Sequence, residues 1–170
     1  MTTIYLDAGA LMVAGGSAAA GSESVGADAA RMISHLLTFG HAVVLVGDRE
    51  RLDTTRASLP IARRVPQLEV NDELDGVESD ATGWLVSDSA ERCAGARSHR
   101  KLKTVLVGGA ATGNLAHRPA DRLARSLADA VLDILATEAM PETAPGSQGG
   151  AQDQDDEADR SLVGTEPGAQ

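Results

Sequence analysis

The hydrophobic pattern of this chain switches repeatedly between short unbroken apolar runs and longer segments at helical spacing. Ile4-Tyr5-Leu6, Ala42-Val43-Val44-Leu45-Val46, the Trp84-Leu85-Val86 part of Gly83–Ser89, and Leu102–Val107 are runs of strand length bounded by turn formers. Such runs predict strands, and the β-branched content of 42–46 fits burial on both faces of a parallel sheet. Between them, Ala29, Ala30, Ile33, Leu36 and Leu37 recur at helical spacing within Gly26–Phe39, and Gly40 marks the stop. A shorter polar helix is expected over Arg49–Leu59, ended by Pro60. Another is expected over Ser89–Ser98, with Ser89 as N-cap and Cys93 as a small buried hydrophobe. A last long helix is expected from Pro119 to about Glu138, with a stripe of Leu123, Leu127, Val131, Ile134 and Leu135. Gln67–Asn71 reads as a weak strand and the acidic, turn-rich Asn71–Thr82 as a surface loop.

Strands that alternate with helical segments imply right-handed crossovers. The predicted fold is therefore α/β, a doubly wound, Rossmann-like parallel sheet of about five strands with helices on both faces. It occupies residues 1–140, and 170 residues suffice for one domain with a sizeable core. Met12–Ser24 is a Gly, Ala and Ser loop, either a flap or a plain connector, without the GxxxxGK[ST] pattern of a phosphate-binding loop.

Composition changes this picture at the carboxyl end. Residues 141–170 carry seven acids against the single base Arg160, which accounts for −6 of the net charge of −10. With few large apolar residues, that segment is expected to be a disordered acidic tail, either solubilising or a docking segment for a protein partner. The remaining −4 and an aromatic content of 2% give no reason to expect nucleic acid. No apolar run approaches a membrane span, no secretory signal is visible, and the single cysteine excludes an internal disulfide. A cytoplasmic setting is the expectation.

The candidate chemistry lies at the strand ends. In a doubly wound sheet the carboxyl ends of the strands share one rim, which would gather Asp7, Gly47-Asp48 and Asp88. Two carboxylates close together repel unless a cation or a shared proton intervenes. Mg²⁺ suits such a pair, and a carboxylate it neutralises can attack phosphorus. The plainer alternative is that acids at strand ends cap helices and hold turns. The basic residues Arg97, His99, Arg100, Lys101 and Lys103 read as a solvated turn.

Across about residues 2–138 the chain resembles the haloacid dehalogenase-like (HAD) superfamily, chiefly Mg²⁺-dependent phosphohydrolases that act through an aspartyl-phosphate. Ile4-Tyr5-Leu6-Asp7 resembles the first motif, Gly40–Val46 the second, and Trp84-Leu85-Val86-Ser87-Asp88 the fourth. The resemblance implies Asp7 as nucleophile, Asp7 and Asp88 as Mg²⁺ ligands, and a small phosphorylated metabolite as substrate. The short insert after the first strand implies a capless type. Several positions depart from the pattern. The general acid, two residues after the nucleophile, is replaced by Gly9, and the hydroxyl of the second motif by Gly47, whose N–H is left as the donor. No Lys precedes Lys101, so Arg63 or Arg64 would have to clamp phosphate. The second acid of the fourth motif is missing: Ser89 and Arg92 stand there, with Glu91 nearby. Asp48 is the nearest acid that could replace Gly9 as proton carrier.

Three functions follow as expectations. The first is a HAD-like protein with degenerate motifs, weak or no phosphohydrolase activity, and a ligand- or partner-binding role. The second is a divergent Mg²⁺-dependent phosphohydrolase acting through Asp7. The third is a PIN-like metal-dependent nuclease, whose first strand also ends in Asp followed by small residues.

Overall fold

The computed structural model describes residues 1–13, 28–99, 101–108 and 119–140. Six parallel strands form one sheet: β1 (Thr3–Asp7), β2 (Ala42–Gly47), β3 (Gln67–Glu69), β4 (Thr82–Ser87), β5 (Lys101–Val107) and β6 (Arg122–Ala124). Their order across the sheet is β3-β2-β1-β4-β5-β6. The chain thus reverses its direction of travel at β1 and β4, which places the switch point where Asp7 ends its strand. The helices are α1 (Ala8–Val13), α2 (Ala29–Thr38), α3 (Arg49–Ser58), α4 (Ala90–His99) and α5 (Leu127–Ala139), with a 3-10 turn over Pro60–Arg63.

The period of two along each strand divides the core into two faces. Ile4, Leu6, Val43, Leu45, Trp84, Val86, Val105 and Val107 join residues of α1, α2, α3 and α5 in the larger cluster. On the other face, Val46, Leu85 and Leu102 meet Ala96 of α4, with Val70, Leu74 and Val77 from the segment before β4. Gly40 adopts φ +81 after α2, a left-handed stop that a side chain would strain.

The doubly wound parallel sheet is as expected, with one more strand. The final helix does not begin at Pro119. Residues 122–124 instead pair with Val105–Val107, and α5 starts at Leu127. Two polar residues fix that division. Asp121 Oδ2 accepts from the Thr104 N–H and hydroxyl at 2.8 and 2.9 Å, tying the chain to β5. Ser126 Oγ then accepts the Asp129 N–H at 3.1 Å and caps α5. Leu123 consequently stands on an edge strand and is 37% exposed rather than packed in a helical stripe.

Two further expectations change. Ala8–Val13 is helical, so Asp7 leads directly into a helix instead of a loop. The segment 70–81 contains no strand or helix, but it is not merely surface. Its apolar residues Val70, Leu74 and Val77 are buried because α4 alone leaves part of that face uncovered. Asn71 Oδ1 accepts the backbone N–H of Glu73 and Asp75, which folds the segment tightly enough to turn Leu74 inward. Of the expected Met12–Ser24 loop, Met12 and Val13 belong to α1 and the rest lies outside the described residues, as does the acidic segment 141–170.

Candidate functional site

Asp7 is the last residue of β1 and has no exposed surface. Tyr5 pairs with Leu85 and Leu6 with Val86 in the neighbouring strand, so Asp7 and Ser87 fall side by side on the face that α4 covers. The Ser87 hydroxyl donates to Asp7 Oδ2 at 2.5 Å. Arg92, on the first turn of α4, donates to the same oxygen through Nη1 at 2.5 Å. Asp7 Oδ1 accepts the Gly9 N–H at 3.0 Å, which satisfies one of the free donors opening α1. Both carboxylate oxygens are therefore engaged by the chain's own donors.

Arg92 is 5% exposed, an unusual place for a guanidinium. Residues 92, 93 and 96 form the buried stripe of α4, and that stripe aims Arg92 at the end of β1. Ser89 positions this turn: its hydroxyl accepts the Arg92 N–H at 3.2 Å, and its own N–H donates to Ser87 Oγ at 3.0 Å. Arg92 Nη2 reaches Asp72 Oδ1 at 3.2 Å, so one guanidinium joins β1, α4 and the 70–81 segment. Burial alone would lower the Arg92 pKa. The charge and hydrogen bond of Asp7, then the charges of Asp72 and Asp88, hold it above its ordinary value. Arg92 is cationic here. Breaking a buried pair of this kind by removing one partner typically costs about 3–5 kcal/mol.

Asp88 stands one residue beyond β4. Its Oδ1 is buried and has no hydrogen-bond donor among the described residues, while Oδ2 lies 4.0 Å from Arg51 Nη1. Burial first, then the charge of Asp7, raise the Asp88 pKa; a backbone hydrogen bond, Arg51 and Arg92 oppose the rise. The Asp88 carboxylate also fills the space beside Gly9, where an added Cβ would fall 2.7 Å from Asp88 Cγ. Only glycine leaves room for this Asp88 conformation. Cys93, buried on the same helix as Arg92, is kept from ionising: burial, then the charges of Asp7, Asp121 and Asp88, push its thiol up to about 12.

Of the residues expected to form the site, Asp7, Asp88 and Gly47 come together. A Cβ on Gly47 would meet the Ala8 methyl at 3.2 Å and Asp7 Oδ1 at 3.8 Å. Arg63 and Arg64 do not join them. Helix α3 leaves the carboxyl end of β2, and its 10 residues carry the chain about 15 Å back before Arg63 is reached. Arg63 Nε donates to the Arg56 carbonyl at 3.3 Å, and both arginines are exposed near the start of β3. Asp48 is not a spare proton carrier: it caps α3, with Oδ1 accepting the Arg51 N–H at 2.9 Å. The arginine that does reach Asp7 is Arg92, which the motif pattern singled out only as a missing acid. Its sequence signal was a cation on the apolar stripe of an otherwise small-residue helix.

A divalent ion fits poorly on these side chains. A cation already rests on Asp7 Oδ2, and Asp88 contributes one free oxygen. No group of three or more acid, histidine or cysteine side chains is arranged to hold a metal among the described residues. Among them, too, no helix is long and apolar enough to cross a membrane.

No protein-family model matches the chain, and no curated protein matches it in sequence. Solved structures do match in fold. D,D-heptose 1,7-bisphosphate phosphatase from B. bronchiseptica, complexed with magnesium and phosphate, superposes with a TM-score of 0.58 at 15% identity, covering 81% of this chain and 99% of that one. The D,D-heptose 1,7-bisphosphate phosphatase from Burkholderia thailandensis gives a TM-score of 0.54 at 18% identity, covering 79% and 99%. The parallel sheet with Asp7 at its switch point thus shares its α/β fold with these phosphatases.

Proposed function

We propose that this chain is a HAD-fold protein that binds a ligand or partner and has little or no phosphohydrolase activity. The observation that carries this reading is the state of Asp7: fully buried, with Oδ2 held by both Ser87 and Arg92. A nucleophile needs an exposed lone pair aligned with its target. Position 9 also offers no proton carrier, a loss that typically costs about 10²- to 10⁴-fold. The ligand class carried over from the structural neighbours is a small phosphorylated metabolite, bound at the carboxyl rim of the sheet. A protein partner would engage the acidic segment 141–170. The setting is cytoplasmic.

The competing reading is a divergent phosphohydrolase with Asp7 as nucleophile and Mg²⁺ on Asp7 and Asp88. The closeness of those two carboxylates favours it. Hydrolysis of a generic aryl phosphate, with and without Mg²⁺, separates the two in wild type and Asp7→Asn. The expected result is no turnover in wild type above the Asp7→Asn background. Metal-dependent turnover that disappears in Asp7→Asn would sink the binding reading. Gly9→Asp is expected to stay inactive on its own, because its side chain would enter the space that Asp88 holds.

A further inference from the structure

We infer that Arg92 is the resident cation of this site, standing where a divalent ion would otherwise neutralise the strand-end carboxylates. The fold then completes its charge balance from within and is indifferent to Mg²⁺. Asp7 has no exposed surface and lies near Asp88, so the pair demands a positive charge. The chain supplies one from the fourth position after Asp88, through a side chain 5% exposed and bonded to Asp7 Oδ2. Asp72 adds a second carboxylate on Nη2, so the guanidinium bridges two acids from different segments as an ion would. A point charge with flexible coordination could not be held in this way without water or further ligands, whereas the planar fork of arginine fixes two directions at once.

One oxygen stays outside this balance. Asp88 Oδ1 is buried with no donor among the described residues, although it lies within the electrostatic reach of Arg92. Arg92 bonds to Asp7 and Asp72 but not to this oxygen, so Asp88 is the acid its guanidinium serves least directly. Replacing Arg92 by an acid should therefore convert the site into a cation trap of three carboxylates, Asp7, Asp88 and the new one. The inference goes beyond the proposed function, since a chain that cleaved phosphate esters without metal would still carry it.

Thermal unfolding of the full chain with and without Mg²⁺, at matched ionic strength, tests it in wild type, Arg92→Asp and Arg92→Ala. The wild-type Tm should not respond to Mg²⁺. Arg92→Asp should melt lower than wild type without metal. It should gain about 5–10 °C when Mg²⁺ is roughly a hundredfold above its Kd. Arg92→Ala keeps the comparison open should Arg92→Asp not fold without metal, because it removes the guanidinium and leaves both original acids; it should respond in the same direction. A saturable rise in the wild-type Tm overturns the inference. So does the absence of any response in both variants, which would make Arg92 a structural ion pair with no relation to a metal. Wild-type turnover with a metal-independent Tm would fail the functional reading alone.

Discussion

At the scale of single residues, the site is decided by which group takes the space beside Asp7. Gly9 gives that space to the Asp88 carboxylate, and Arg92 takes the oxygen that a nucleophile would need free. Asp88 bears the cost, with a raised pKa and an orphaned oxygen. The sign of its pH effect follows from linkage. A carboxyl whose pKa is raised on folding binds more protons in the native state, so it erodes stability as pH rises from the ordinary carboxylate range through its folded value. Asp88→Asn removes that loss. The Tm difference between Asp88→Asn and wild type should therefore grow more positive from acid to neutral pH and then level off, as followed by circular dichroism melts across pH. A difference flat with pH would mean that Asp88 titrates as an ordinary exposed acid.

At the scale of elements, the unexpected contributor is the irregular segment between β3 and β4. It covers sheet surface that α4 leaves open and holds Asp72 against Arg92. Leu74, at φ +60 with no exposed surface, is its anchor. Leu74→Ala should destabilise the domain by about 2–5 kcal/mol in urea unfolding, as for a core leucine on a helix. Leu132→Ala, on the outer side of α5 and 60% exposed, should stay within about 0.5 kcal/mol. Equal small effects would show that 70–81 is the solvated loop its acidic composition suggests. Composition misleads here because Val70, Leu74 and Val77, although spaced i, i+4 and i+7, are only three apolar residues set among the turn formers Asn71, Asp75 and Gly76. Their burial follows from the open area of the sheet beneath them.

At the scale of the whole molecule, the three buried clusters among the described residues lie within residues 1–140. Residues 141–170 bring seven acids and few apolar side chains. A chain ending at Met140 should therefore unfold at the same temperature as the full one in differential scanning calorimetry. A marked fall in Tm would mean that the acidic segment packs on the domain and contributes to its core. Under the proposed function, the sheet would supply the ligand rim and the carboxyl-terminal charges would be left for association.

The sequence by itself determined the layered α/β fold, because buried parallel strands must be continuous apolar runs and covering helices must carry a stripe. It also determined that Asp7, Gly47 and Asp88 would meet, since all parallel strands end on one rim. It could not place Leu123, whose spacing from Leu127 fits a helix as well as it fits a short edge strand. The same rule of a shared rim places Arg63 and Arg64, just ahead of β3, at the opposite rim, and their selection as phosphate clamps followed the absence of an early lysine instead. Tertiary structure alone set the role of Arg92. A cation on a helix has no preferred partner in sequence, and only the packing of α4 across the ends of β1 and β4 brings its guanidinium onto Asp7.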